Sequence, residues 1–180
     1  MKGFFLLALS LFLIACGYHF ESARPSRYIY VPYVEGDDKG FLTSALIRVL
    51  AEKGNFQLSS CHADLMLKVC LFEPDEVNVG FIYAGDQDSN LKRVISSNEA
   101  RLTLHAKVTL CDSAGCCVLG PFDVSSSLSY DFEPDLISKF PQHYFSLGQL
   151  EMHTLAQNAA FPPLYYLLAE KIIDYLDHSW

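Results

Sequence analysis

The sequence predicts an α/β two-layer sandwich: two helices packed on one face of a four-stranded mixed β-sheet. Three observations predict it. Residues 101–132 alternate apolar and polar side chains with period two, which makes antiparallel strands with one dry and one wet face. Two segments, 39–53 and the stretch following Pro162-Pro163, carry apolar residues at helical spacing. Between residues 28 and 72 the order is strand, helix, strand with a short return, the pattern of a parallel crossover.

The chain opens with Lys2 and an apolar run, GFFLLALSLFLIA, broken only by Gly3 and Ser10. A spanning helix needs about 20 apolar residues, so the run is too short to cross a bilayer and reads as a signal peptide of residues 1–15. It ends in Leu13-Ile14-Ala15-Cys16, which fits the bacterial lipobox better than an ordinary secretory signal with an incidental cysteine. In a lipobox the Cys16 thiol carries diacylglycerol and the chain is cut after Ala15. Each buried methylene contributes about 0.8 kcal/mol and one chain anchors only reversibly, so two or three acyl chains on Cys16 hold the protein at a membrane. Gly17 rather than Asp after the cysteine favours the outer membrane.

The mature part, 16–180, is long enough for one domain with a real core, and residues 16–27 read as a tether. The whole chain has 13 Lys and Arg against 21 Asp and Glu, a formal charge of −8. That balance excludes simple electrostatic binding to nucleic acid. No repeat or low-complexity tract divides the chain. Five further cysteines, Cys61, Cys70, Cys111, Cys116 and Cys117, form neither a C-x-x-C motif nor a zinc pattern and read mostly as small buried hydrophobes.

YIYVPYV (28–34) is aromatic and β-branched and reads as a strand ending near Pro32. Gly36-Asp37-Asp38 turns the chain. Phe41, Leu42, Ala45, Leu46, Val49 and Leu50 then form a helical stripe, stopped by Gly54-Asn55. DLMLKVCLF (64–72) is the second strand. Glu73-Pro74 interrupts it, and Val77–Tyr83 continues it beyond a bulge. AGDQDSN (84–90) has loop composition.

In RLTLHAKVTLC, Leu102, Leu104, Ala106, Val108 and Leu110 point one way, against Arg101, Thr103, His105, Lys107 and Thr109. Val118, Phe122, Val124, Leu128, Tyr130 and Phe132 alternate likewise with Asp123, Ser125, Ser127, Ser129 and Asp131. A three-residue loop, Ser113-Ala114-Gly115, with Gly115 left-handed, joins the two strands. It pairs Ala106 with Phe122, Val108 with Gly120, His105 with Asp123, and Cys111 with Cys117. A Cys111–Cys117 disulfide is then geometrically allowed if those residues form a non-hydrogen-bonded pair. Residues 133–149 read as a loop. From about Leu150 the chain is helical, with Pro162-Pro163 starting or kinking the helix and Leu164, Leu168, Ile172 and Tyr175 as its stripe, widened by Leu167 and Leu176.

The sheet face away from the helices, with Arg101, His105, Lys107, Asp123 and the serines, is expected to be polar. No G-x-S-x-G elbow or oxyanion cradle accompanies His105, Asp123 and Ser125, so a solvated ion pair outweighs a hydrolase site. Asp86 and Asp88 lack the remaining ligands of a calcium loop. The expectation is no catalytic residue, no metal and no cofactor beyond the lipid on Cys16.

CGYHF at the mature N-terminus, FLTSALIRVLAEKG, ADLMLKV, the meander with its D-x-x-G turn and the closing LLAEKIIDYL resemble the LPS-assembly lipoprotein family, LptE. The likeness spans essentially the whole mature chain; the five extra cysteines and Pro162-Pro163 depart from the family pattern. The resemblance implies an outer-membrane lipoprotein that sits as a plug inside a large β-barrel, LptD, with which it places lipopolysaccharide in the outer leaflet. It also implies contact with the glycolipid through basic residues, for which Lys92, Arg93, Arg101 and Lys107 are the candidates, since phosphate needs cationic donors. The alternatives are a lipid-anchored protein serving another envelope complex, and a periplasmic hydrolase using His105 and Asp123.

Overall fold

The computed structural model describes residues 27–54, 56–84, 94–132 and 147–179. In chain order the elements are β1 (Arg27–Tyr30), α1 (Phe41–Lys53), β2 (Phe56–Leu58), β3 (Leu65–Leu71), β4 (Asp75–Ala84), β5 (Val94–Asp112), β6 (Cys117–Asp131) and α2 (Leu147–His178). Cys16, the 16–27 tether up to residue 26, Lys92-Arg93, Asp86, Asp88 and most of the 133–149 loop lie outside the described residues.

Both helices lie on one face of a mixed sheet, as the patterning predicts, but the described sheet has six strands rather than four. Two causes account for the difference. Phe56-Gln57-Leu58 adds a short parallel strand beside β1, too brief for its periodicity to register in the sequence. The other is the break at Glu73-Pro74, which divides one long strand into β3 and β4. Both halves lie end to end along the same edge of β5, with Leu71 opposite Ala106 and Asp75 opposite Thr103. Three residues on one side face two on the other, which is the expected bulge.

β1 and β3 run parallel, with Ile29 opposite Leu65, so α1 and β2 lie in the connection between them. α1 begins at Phe41 because Asp37, only 2 % exposed, receives its free amides. The Asp37 carboxylate accepts from the Phe41 N–H at 3.0 Å, the Thr43 N–H at 2.8 Å and the Thr43 hydroxyl at 2.9 Å. Thr43 Oγ1 in turn accepts from the Val34 amide, tying the helix start to the end of the strand region. The helix stops where expected: Gly54 is left-handed and its N–H returns to the Leu50 carbonyl.

The core is one layer of aliphatic side chains. Leu42, Leu46, Val49 and Leu50 from α1 and Leu164, Leu168, Ile172, Ile173 and Leu176 from α2 meet Ile29, Leu65, Leu67, Leu102, Leu104, Ala106, Val108 and Leu110 from the sheet. The α2 stripe is rotated from the expected one. Leu167 and Tyr175 are exposed, while Ala169 and Ile173 are buried. Tyr175 instead stacks at the edge on Phe122, ring centroids 4.1 Å apart. α2 does not start at Pro162-Pro163 but runs through both. The carbonyls four residues earlier, on Asn158 and Ala159, lose their helical donors, and both residues are exposed, where solvent can replace them.

The β5–β6 hairpin closes as predicted: Gly115 has φ 84, and Cys111 stands opposite Cys117. Beyond the tip the register departs from the expectation by two residues. Ala106 faces Val124, Val108 faces Phe122, Lys107 faces Asp123 and His105 faces Ser125. The additional residues are absorbed around Leu119 and Gly120, where the ladder shifts twice. Gly120 has φ 95, and a Cβ there would lie 2.7 Å from the Val108 carbonyl oxygen. A slip of two keeps every side chain on its own face, so the core forms regardless.

Candidate interaction surface

Among the described residues, neither helix covers the outer face of the sheet. Along β5 it presents Arg101, Thr103, His105, Lys107 and Thr109, and along β6 Asp123, Ser125, Ser127 and Ser129. Arg101 and Lys107 are both exposed and share this face six residues apart. The Arg101 Nε donates to Ser129 Oγ across the strand pair at 3.4 Å. Lys107 stands directly opposite Asp123, which halves the local positive charge.

The predicted His105–Asp123 pair does not form, because the Gly120 shift moves Asp123 to Lys107. The partner of His105 is Asp75 at the start of β4, Nε2 to Oδ2 3.3 Å, with both side chains open to solvent. Among the described residues no serine hydroxyl donates a hydrogen bond to this imidazole. An exposed pair of this kind contributes little to stability.

The face is polar over only half its width. Register places Tyr28 and Tyr30 of β1 beside Met66, and Met66 opposite Cys111, so these side chains share the outer face with Lys107. Tyr28, Tyr30 and Phe72 are exposed there, and along β4 Val77 and Phe81 are 60 % and 53 % exposed. The predicted uniformly polar face is therefore corrected. β5 and β6 supply a charged and hydroxylic half; β1, β3 and β4 supply an aromatic and aliphatic half. The reason is that β3 is hydrophobic on both sides: within Leu65–Leu71 only Lys68 interrupts the outward row.

A second cluster joins the far end of the sheet to α2. Glu76 Oε1 accepts from the Tyr130 hydroxyl at 2.7 Å and lies 2.9 Å from His153 Nε2; Glu76 Oε2 accepts from the Gln157 amide at 2.5 Å. Phe132 packs edge-on against the His153 ring, centroids 4.7 Å apart. Burial, together with the neighbouring carboxylate, pushes the Tyr130 hydroxyl well above its ordinary value of 10.0. Tyr130 and Gln157 donate to the carboxylate and His153 lies against it, so the cluster ties α2 to β4 and β6. The sequence gives no sign of it, since its members are scattered from residue 76 to residue 157.

On the helix side, Arg48 lies over the Tyr166 ring at 5.4 Å and pairs with Glu52 at 2.8 Å, while the Tyr166 hydroxyl donates to Glu52. The hydrogen bond from Arg48 holds the Glu52 carboxyl below its ordinary value. Arg48 and Tyr166, with Pro162, Pro163 and Leu167, line an open depression. Among the described residues no group of His, Cys, Asp or Glu is arranged to hold a metal ion, and no helix is long and apolar enough to cross a membrane.

No protein-family model matches the chain, and no curated protein is significantly similar to it. Solved structures are similar in fold. The rare lipoprotein B of Shewanella oneidensis superposes with a TM-score of 0.50 at 12% identity, covering 84% of this chain and 95% of that one. The minor lipoprotein of Acinetobacter baumannii gives 0.47 at 16% identity, over 81% of this chain and 87% of that one. Lipoprotein B of Nitrosomonas europaea gives 0.47 at 11%, over 84% and 80%. The likeness to the Shewanella protein is one of fold, over nearly its whole length.

Of the residues expected to meet lipopolysaccharide, Arg101 and Lys107 are brought onto one exposed face, and Lys92 and Arg93 lie outside the described residues. Of the pair expected to allow a disulfide, Cys111 is buried and Cys117 exposed, and both are free thiols.

Proposed function

We propose that this chain is a lipid-anchored outer-membrane subunit, held at Cys16, that fits as a non-enzymatic plug and assembly partner into a large LptD-like β-barrel and helps place lipopolysaccharide in the outer leaflet. The observation that carries the reading is the lipobox Leu13-Ile14-Ala15-Cys16 standing ahead of this two-layer fold. The fold likeness to a protein known as rare lipoprotein B supports it independently of the lipobox.

The physics of the outer face is compatible with such a role. Barrel lumens are polar, and the β5–β6 half of the face presents hydroxyls and charges that can exchange water for lumen side chains at little cost. Arg101 and Lys107 would offer cationic donors to phosphate there, and the aromatic half would lie against acyl chains or apolar wall residues. A lipid anchor raises local concentration at the membrane, so modest contacts suffice to keep the plug seated.

Crosslinking in cells followed by purification through a C-terminal tag tests the reading. One large outer-membrane barrel is expected as the principal partner. Recovery of a different envelope complex in its place favours a lipoprotein of another assembly, and recovery of a soluble, unacylated species contradicts both.

A further inference from the structure

The tip of the β5–β6 hairpin gathers three cysteines within seven residues, Cys111, Cys116 and Cys117. The Asp112 N–H donates to the Cys116 carbonyl at 2.9 Å, and the Asp112 carboxylate accepts from the Cys116 N–H at 2.8 Å. Asp112 and Cys116 therefore form the hydrogen-bonded pair that closes the loop. Ladder pairs alternate, so the next pair, Cys111 and Cys117, is of the non-hydrogen-bonded kind. Such pairs bring Cα atoms to about 4.5 Å with side chains adjacent on one face, inside the range of about 4.4–6.8 Å that a disulfide spans.

The two thiols differ in access. Cys111 is 5 % exposed, whereas Cys117 is open to solvent with its thiol turned to the Gly120 carbonyl at 3.2 Å. Breaking the contact with the Gly120 carbonyl would free the Cys117 thiol to turn toward Cys111, its partner across the ladder. Cys116 belongs to the neighbouring pair, on the opposite face of the ribbon, and is directed away from both.

We propose that Cys111 and Cys117 are a redox pair that closes to a cross-strand disulfide, with Cys117 as the entry thiol and Cys111 as the resolving thiol. The oxidant is an external disulfide, of a protein or of a small thiol such as glutathione. The Cys117 thiolate attacks one sulfur of that disulfide, forming a mixed disulfide and expelling one thiolate. The Cys111 thiolate then attacks the Cys117 sulfur and expels the second thiolate. The chain loses two electrons and two protons, and the external disulfide becomes two thiols. The bond would pin the hairpin tip just ahead of the Gly120 shift and leave Cys116 as the free thiol of the loop.

Purified full-length protein equilibrated with oxidised glutathione tests this without reference to where the protein resides in the cell. Cleavage at Asp112 separates Cys111 from the Cys116-Cys117 pair. The Cys111 peptide is expected to remain joined to the Cys117 peptide and to separate only on reduction. Cys116→Ser should keep the link, and Cys117→Ser should abolish it while the fold, read by circular dichroism, is retained. Separate peptides with free thiols overturn the proposal. So does Cys117 left joined to glutathione, or a link that Cys116→Ser removes.

Discussion

Lys107 and Asp123 face one another across β5 and β6, two residues away from the pairing that the hairpin loop alone would set. The displacement is built around Gly120, whose φ of 95 and close approach to the Val108 carbonyl leave no room for a side chain. It decides which charges stand opposite one another on the outer face: Lys107 is set across from Asp123, and His105 is left to Asp75.

Gly120→Ala should therefore cost more than Gly115→Ala. Both positions are left-handed, which costs an alanine about 1 kcal/mol. Only at Gly120 does the added Cβ also meet backbone, since nothing lies within 4 Å of a Cβ at Gly115. Urea unfolding of the two variants measures the difference; equal losses would mean that the ladder shift is absent in solution.

Asp37→Ala should destabilise the protein by about 1–3 kcal/mol, because it strips three hydrogen bonds from the start of α1 and leaves their part-buried donors without that acceptor. Asp37→Asn, which keeps one acceptor oxygen, should recover part of the loss. Thermal unfolding of the pair reads the effect, and an unchanged midpoint for Asp37→Ala would show that the cap contributes nothing.

Tyr130 predicts an alkaline limit to stability. Its hydroxyl is held above its ordinary value of 10.0 by burial and by Glu76, so the folded state keeps the proton longer than the unfolded chain does. For a group with a raised folded value, the contribution is complete below about pH 10 and is lost as pH rises beyond it. Denaturant midpoints taken from pH 8 to 11 should fall at the upper end. Tyr130→Phe should flatten that limb, and an identical slope in the variant would remove Tyr130 as its source.

Leu104→Ala should cost about 2–5 kcal/mol, since the side chain is wholly enclosed between the sheet and the helices. Leu155→Ala, at a residue 66 % exposed on α2, should change stability by less than about 0.5 kcal/mol. Chemical denaturation of both variants locates the core; comparable losses would place α2 against a partner or in another orientation.

Most of the fold was legible in the sequence because each element buries one face. Period-two alternation in 101–111 and the helical stripe of 41–50 needed no tertiary information, and Glu73-Pro74 announced its own bulge. β2 was hidden because three residues carry no period. The β6 register was hidden because a ladder shift of two leaves the hydrophobic pattern intact, so nothing in the alternation distinguishes Ala106 opposite Phe122 from Ala106 opposite Val124. The candidate surface was half legible. Arg101 and Lys107 show by alternation on β5, but the aromatic half arises from β1 lying beside β3, a contact made by distant residues. The Glu76 cluster was invisible for the same reason.

The central claim is that the outer sheet face of an anchored plug meets a barrel wall. A photoreactive residue placed at Lys107, compared in cells with one at Leu155 on the helix side, tests it most directly. The account predicts that position 107 gives an adduct with a single large outer-membrane β-barrel, more abundant than any adduct from position 155. No barrel adduct from position 107, with the protein recovered free of the membrane, would contradict it.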